Sequence, residues 1–169
     1  PADRDNTGST VFGDVDGDGD IDLVVGNWGQ SRLYLNNGTG TFTDATTSRM
    51  PNGIYETTSL VLGDVDGDGD LDLVVGNYLQ QSRLYLNNGT GTFSDMTASH
   101  MPVGTFINPT LALGYVDGDG DLDLVVGDYG QSRIYLNNGT GTFMDASASG
   151  MPVGNYSTIS LALGDVDGD

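Results

Sequence analysis

The stretch GDVDGDGDIDLVVGN, residues 13–27, places five aspartates at alternating positions and then continues into apolar, mostly β-branched residues. The same pattern returns as GDVDGDGDLDLVVGN at 63–77 and as GYVDGDGDLDLVVGD at 114–128, and a shortened copy, GDVDGD, occupies 164–169. The copies start 50, 51 and 50 residues apart, so the chain is a tandem repeat. The alternating positions hold 17 of the 24 acidic residues, which indicates that something local neutralises them.

Within one unit the apolar residues recur with a period of two, which is typical of β-strands. In the second unit the pattern predicts strands over 59–65, 71–77, 82–88 and 92–97. The sequence NNGTG at 87–91 contains Asn-Gly, a strong signal for a hairpin between the last two strands. No segment has a convincing helical pattern. Each unit is therefore predicted to be a four-stranded antiparallel meander.

A unit of this size cannot bury both of its faces alone, so neighbouring copies must stack. The period predicts an all-β fold of β-propeller-type blades, with a solenoid of shorter rungs as the rival arrangement. On one face of the second strand we expect Leu71, Leu73 and Val75, and on a face of the third strand Leu84 and Leu86. The predicted units are 1–50, 51–101, 102–151 and, as a first strand with a partial aspartate loop, 152–169.

The composition excludes several classes of partner. The net charge is −19 and the chain has no lysine, so neither nucleic acid nor an anionic membrane surface is an expected partner. There is no cysteine, which removes disulfides and thiolate metal sites. No stretch approaches the ~20 apolar residues that would span a bilayer, so we expect no membrane insertion in this segment.

The aspartate spacing points to a metal. Numbered from Asp14, aspartates stand at positions 1, 3, 5, 7 and 9 with Gly19 at position 6, a spacing that wraps oxygen atoms around calcium. An EF-hand would need glutamate at position 12 and flanking helices, but position 12 is Val25, Val75 or Val126. The alternative of metal-free, solvated acidic turns is disfavoured because so many carboxylates in one turn repel each other.

The combination of GDVDGDGDLDLVVGN with a following LYLNNGTGTF resembles the FG-GAP/VCBS repeat family. That resemblance covers essentially the whole chain and implies integrin-α-like propeller blades. It implies one calcium ion per complete loop, between the first and second strands, with side-chain ligands at positions 1, 3, 5 and 9 and a backbone ligand at 7. The first site would comprise Asp14, Asp16, Asp18, Asp20 and Asp22, and the second Asp64, Asp66, Asp68, Asp70 and Asp72.

Two copies depart from the complete loop. In the third, Tyr115 replaces the first ligand, so we expect weaker or altered calcium binding there. The fourth stops within the motif, which we interpret as a window onto a longer array rather than a polymerising subunit. The remaining candidates are Asp117, Asp119, Asp121 and Asp123 in the third loop and Asp165, Asp167 and Asp169 in the fourth.

Other recurring residues have a structural and a functional interpretation. An aromatic residue follows the second strand of each complete unit and either packs between blades or stacks on a sugar or partner. A recurring arginine is expected to form an ion pair with a nearby aspartate. The aromatic residues are Trp28, Tyr78 and Tyr129, and the arginines are Arg32, Arg83 and Arg133.

The sequence thus predicts a calcium-binding repeat protein, extracellular or on a cell surface, that serves adhesion, recognition or scaffolding. Its expected partners are a protein or glycan ligand, or further copies of itself. A self-assembling filament and a propeller lectin, with aromatic residues beside a metal rim, are the alternatives. An enzyme is not expected, because no nucleophile–base pair is present and His100 has no catalytic partner.

Overall fold

The computed structural model describes residues 6–154 and 156–164. Each of the three complete units folds into four antiparallel strands followed by one short helical turn. Unit one contains β1 (Asn6–Gly13), β2 (Asp22–Gly29), β3 (Arg32–Asn36), β4 (Phe42–Asp44) and α1 (Thr46–Arg49). Unit two contains β5 (Tyr55–Gly63), β6 (Asp72–Asn77), β7 (Arg83–Asn87), β8 (Phe93–Asp95) and α2 (Thr97–His100). Unit three contains β9 (Thr110–Gly114), β10 (Asp123–Gly127), β11 (Arg133–Asn137), β12 (Phe143–Asp145) and α3 (Ser147–Gly150).

The strands of each unit pair in chain order, which gives the meander of a propeller-type blade. The prediction of an all-β fold built from such blades is confirmed. The first two blades are also joined, because the end of β2 pairs with the start of β5 through Trp28 with Glu56 and Gly29 with Tyr55. One eight-stranded sheet therefore runs through units one and two, and a four-stranded sheet forms unit three.

Two apolar cores lie between successive blades. Leu73 and Val75 of β6 belong to the core shared with blade one, and Leu71 packs against it. Leu84 of β7 belongs to the core shared with blade three, and Leu86 packs against that core. Both predicted faces are confirmed. All six residues of β6 are buried, because the middle blade is covered on both sides.

The short helices correct the expectation that no helix is present. Each is four residues long, too short to produce an apolar pattern with a period of 3.6. The predicted fourth strand, 92–97, is accordingly shorter, since β8 ends at Asp95 and the helix begins at Thr97. The Asp95 carboxylate accepts a hydrogen bond from the Thr97 amide (3.0 Å) and so makes the turn into the helix.

The expected first strand of unit four is not formed in residues 156–164. This segment runs beside blade three instead, with the Thr158 amide donating to the Asp128 carbonyl (2.9 Å). A first strand pairs with the second strand of its own unit, and the described part of unit four contains no second strand. Within the described residues, no helix has the length and apolar character that crossing a membrane requires.

Candidate metal centres and an aromatic cleft

The aspartate loops connect the first strand of each unit to the second strand, where the resemblance implies them. In the first loop, Asp14 is the central acceptor. Its two carboxylate oxygens accept hydrogen bonds from the Gly17 amide (2.8 Å) and the Gly19 amide (2.9 Å). Asp64 accepts from the two equivalent glycine amides of the second loop at 2.8 and 3.0 Å. These bonds close the loop over the carboxylates, and glycine at φ 92° (Gly19) permits the turn.

The aspartate at position 9 fixes the far end of each loop. Asp72 has no solvent exposure, and its carboxylate accepts hydrogen bonds from the Val65 amide (3.0 Å) and the Asn87 amide (2.9 Å). Burial raises the pKa of this carboxyl to about 6, although both amide bonds act in the opposite direction. Asp22 and Asp123 are equally buried and are held by the corresponding pairs of amides.

The structure brings two groups of predicted side-chain ligands together. Carboxylate oxygens lie within 4.8 Å of one another in each group. No third group of this kind occurs in residues 6–154 and 156–164. The first group is Asp14, Asp16 and Asp18, and the second is Asp64, Asp66 and Asp72.

Position 7 behaves differently from the other aspartates. The Asp20 carboxylate lies against Gly38 in the hairpin of its own blade, where an added methyl group would meet it at 2.6 Å. Asp70 and Asp121 lie in the same way against Gly89 and Gly139. The side chain at position 7 is thus directed to the hairpin, which leaves the backbone carbonyl as the group that this position can offer a metal.

A buried carboxylate oxygen without a hydrogen-bond partner indicates that the first loop fits a cation. The Oδ1 atom of Asp16 is buried and has no hydrogen-bond partner, while Oδ2 lies 3.6 Å from Arg49. Burial, followed by the charges of Asp22 and Asp18, raises the pKa of the Asp16 carboxyl. Burial and the charge of Asp68 likewise raise the pKa of the Asp66 carboxyl. Closely spaced oxygen donors with an unsatisfied buried oxygen fit a hard cation such as calcium.

The third loop differs from the other two at position 1. Tyr115, at position 1 of the third loop, is 68% exposed and supplies no carboxylate to the amides of Gly118 and Gly120. Asp117 and Asp119 accept bonds from backbone amides two residues further on, at 3.2 and 3.0 Å, as Asp66 and Asp68 do in the second loop. Asp165, Asp167 and Asp169 lie outside the described residues.

The recurring arginines form ion pairs across the third and fourth strands, as the sequence predicts. Each pair is partly exposed, so it contributes about 1 kcal/mol or less. Burial opposes ionisation of the Asp145 carboxyl, but hydrogen bonds donated by Ser147 and the charge of Arg133 lower its pKa. The pairs are Arg32–Asp44 (3.6 Å), Arg83–Asp95 (3.4 Å) and Arg133–Asp145 (2.7 Å).

The recurring aromatic residues lie at the opposite end of the second strand from the metal loop. Strand β2 begins at Asp22 and reaches Trp28 six residues later, about 20 Å away. The expectation of aromatic residues beside a metal rim is therefore wrong, because an extended strand separates the two. Trp28 stacks on Tyr78 with ring centroids 6.2 Å apart, yet it remains 49% exposed.

A cleft of about 330 Å³ opens beside Trp28, between blades one and two. The Tyr55 ring forms part of its wall, and the Arg83 guanidinium covers that ring at 4.6 Å. Sequence reasoning identified Trp28 but missed the other residues of the cleft. The full lining is Asn6, Trp28, Gly29, Ile54, Tyr55, Glu56 and Gln80.

Comparisons with known proteins agree with this architecture. The family model described as FG-GAP-like repeat matches residues 14–75, 64–126 and 115–169. No curated protein matches the sequence. The fold is similar to a solved structure of an Agrocybe aegerita lectin, with a TM-score of 0.52 and 23% identity. That structure describes the specific recognition of non-reducing terminal N-acetylglucosamine by the lectin. The match covers 80% of this chain and 36% of that one, so this chain spans about a third of its length.

Proposed function

Because the chain belongs to the FG-GAP-like repeat family, we propose that it is a calcium-stabilised recognition module whose loops 14–22 and 64–72 each bind one ion. The observation that carries the proposal is the buried, unpartnered Oδ1 of Asp16 within a group of closely spaced carboxylates. An unpaired buried carboxylate oxygen is costly in a folded protein, and a bound cation removes that cost.

The chain's own residues prepare each loop for the ion. The amides of Gly17 and Gly19 orient the carboxylate of Asp14, and the amides of Val15 and Asn36 hold that of Asp22. The loops thereby place several like charges close together, which opposes folding in the absence of a cation. Bound calcium supplies the compensating positive charge.

Calcium dependence of stability tests this function. We expect the melting temperature to rise with added CaCl₂ and to fall in EDTA, because a ligand bound only by the folded state stabilises it by about 2.7 kcal/mol per site at 100 times Kd. Isothermal titration should count two stronger sites. The paired variant Asp16→Asn with Asp66→Asn should lose most of the calcium response, whereas Ser94→Ala on the exposed side of β8 should retain it. A melting temperature that is indifferent to both CaCl₂ and EDTA contradicts the proposal.

The site of action that we propose is extracellular or at a cell surface, where calcium is abundant enough to load sites of modest affinity. The role there is adhesion or recognition without catalysis. A glycan is the ligand class with most support, since the N-acetylglucosamine-recognising lectin is similar in fold and Trp28 offers a half-exposed aromatic ring. Self-assembly into a filament is the competing role, and electron microscopy of the purified protein with calcium separates filaments from discrete particles.

A further inference from the structure

The cleft between blades one and two is built on paired strand positions. Trp28 at the end of β2 is the register partner of Asn6 on one neighbouring strand and of Glu56 on the other. Residues directly opposite each other in an antiparallel sheet project their side chains to the same face. The indole ring therefore stands between an amide and a carboxylate, and all three line the cleft.

This cleft also contains residues that are not repeated in the other units. Trp28 is the only tryptophan of the sequence, and Glu56 is its only glutamate. The one-residue insertion that distinguishes unit two lies in 78–82, and Gln80 from that segment lines the same cleft. Leu79 adopts a φ of 52° beside it, a conformation that non-glycine residues seldom adopt. Three independent departures from the repeat thus converge on one place.

The corresponding position between blades two and three lacks these features. Tyr78 stands where Trp28 does, Phe106 replaces Tyr55, and Ile107 replaces Glu56. Phe106 is 3% exposed and its ring contacts Tyr135 in the core, so it does not line a surface cleft. A role in blade packing alone would not require the tryptophan, the glutamate and the insertion at the first of these two junctions and not at the second.

We propose that the cleft lined by Trp28, Glu56, Asn6 and Gln80 binds a single neutral hexopyranose ring, one per chain. This assignment rests on the recognition role proposed above and gives it a site. One side of the indole stacks on Tyr78, and the part of the ring that stays exposed provides a stacking surface for the apolar C–H face of a sugar. The carboxylate and the two amides provide paired acceptors and donors for its hydroxyl groups. The volume, about 330 Å³, lies at the small end of the range for small-molecule sites, ~300–1,000 Å³, and suits one ring.

The negative charge of the cleft determines which class of sugar it can bind. Glu56 lies within the cleft and the chain carries a net charge of −19, so uronic and other acidic sugars are repelled. An organic cation would satisfy the carboxylate and the indole but would leave the donor groups of the Asn6 and Gln80 amides unused. The presence of those amides favours a polyhydroxylated ligand.

Trp28 makes the test direct, because excitation at 295 nm reports on this tryptophan alone. The probes are the methyl glycosides of glucose, galactose, mannose and N-acetylglucosamine, with methyl glucuronide and choline chloride as charged comparisons. We expect at least one neutral glycoside to give a saturable change in emission, with at least tenfold weaker binding of both charged probes. Tighter binding of either charged probe, or no saturable response to any neutral glycoside, overturns the proposal.

Calorimetry with variants locates the site. Trp28→Ala and Glu56→Gln should each weaken binding of the responsive glycoside about tenfold or more, while Tyr129→Ala, the equivalent aromatic position of blade three, should change it less than twofold. Equal losses in Trp28→Ala and Tyr129→Ala would contradict a single site. Melting curves in CaCl₂ and EDTA, run on the same samples, separate the two proposals: calcium-dependent melting without glycoside binding overturns the sugar site alone.

Discussion

At the scale of single residues, the carboxylate at position 1 distinguishes the two complete aspartate loops from the third loop. Asp14 and Asp64 each accept two glycine amides and belong to a group of closely spaced carboxylates. Tyr115 stands at the equivalent position of the third loop, and the described residues of that loop contain no such group. The replacement removes a charge and two loop-closing hydrogen bonds at once.

Restoring that carboxylate should restore the loop. We expect Tyr115→Asp to raise the calcium affinity of the third loop about tenfold or more and to turn a weak class of site into one that matches the other two, because affinity follows ligand charge and number. Calcium titration by calorimetry measures this change. Tyr115→Phe, which restores no oxygen ligand, should behave as the parent protein. Three equivalent sites in the unaltered chain would refute the expectation.

At the scale of elements, a buried hydroxyl fastens each short helix to the third strand of its blade. Thr97 at the start of α2 is 1% exposed, and its hydroxyl accepts a hydrogen bond from the Leu84 amide (3.0 Å). Thr46 and Ser147 make the same contact with Leu33 and Ile134. This hydroxyl recurs in each complete unit because α-helices of four residues have no stability of their own.

Removing that hydroxyl should destabilise the blade. Thr97→Val keeps the shape of the side chain but leaves the buried Leu84 amide unpaired, so we expect a loss of about 1–3 kcal/mol in the free energy of unfolding. Urea denaturation in saturating calcium measures the loss. Ser94→Ala, a similar deletion at an exposed position of β8, should stay within ~0.5 kcal/mol of the parent. Equal losses of unfolding free energy in the two variants would show that the buried hydrogen bond contributes no more to stability than the exposed hydroxyl.

At the scale of the whole molecule, the loops of successive blades are joined by asparagine side chains. The Asn87 amide group of blade two donates to the Val15 carbonyl in the loop of blade one (2.8 Å). Asn137 of blade three makes the same bond to Val65 in the loop of blade two (2.7 Å). The backbone amides of these asparagines also hold Asp72 and Asp123. Each aspartate loop is therefore connected through one residue to the loop of the neighbouring blade.

A matched pair of substitutions isolates the contact between blades. Asn87→Ala leaves the buried Val15 carbonyl unpaired and should cost about 1–3 kcal/mol of unfolding free energy. Asn36→Ala removes the equivalent side chain of blade one, whose Nδ2 donates to the Ile21 carbonyl of its own blade (3.1 Å), and should cost about 1 kcal/mol or less. Denaturation midpoints of both variants in EDTA measure the difference. A cost for Asn36→Ala as large as that for Asn87→Ala would place the effect in the hairpin, which both asparagines cap in the same way.

The sequence alone determined the repeat, the strands and the aspartate loops. Alternation of side chains along a strand is a local property, so the faces of β6 and β7 could be assigned from Leu73, Val75 and Leu84 before any contact was known. The one-turn helices could not be predicted, because four residues carry no helical period and their anchoring hydroxyls bond to a strand 13 residues away.

Only the tertiary structure decided which residues meet across blades. The Asn87–Val15 bond spans 72 positions, and Asn6, Trp28 and Glu56 come together because three strands share a register. The separation of Trp28 from the metal loop, by contrast, follows from its distance from Asp22 along one extended strand. The spacing of residues within one repeat determines which ligand a single loop can bind. A site formed by two repeats depends in addition on how their strands pair, and this pairing is set only when the blades stack.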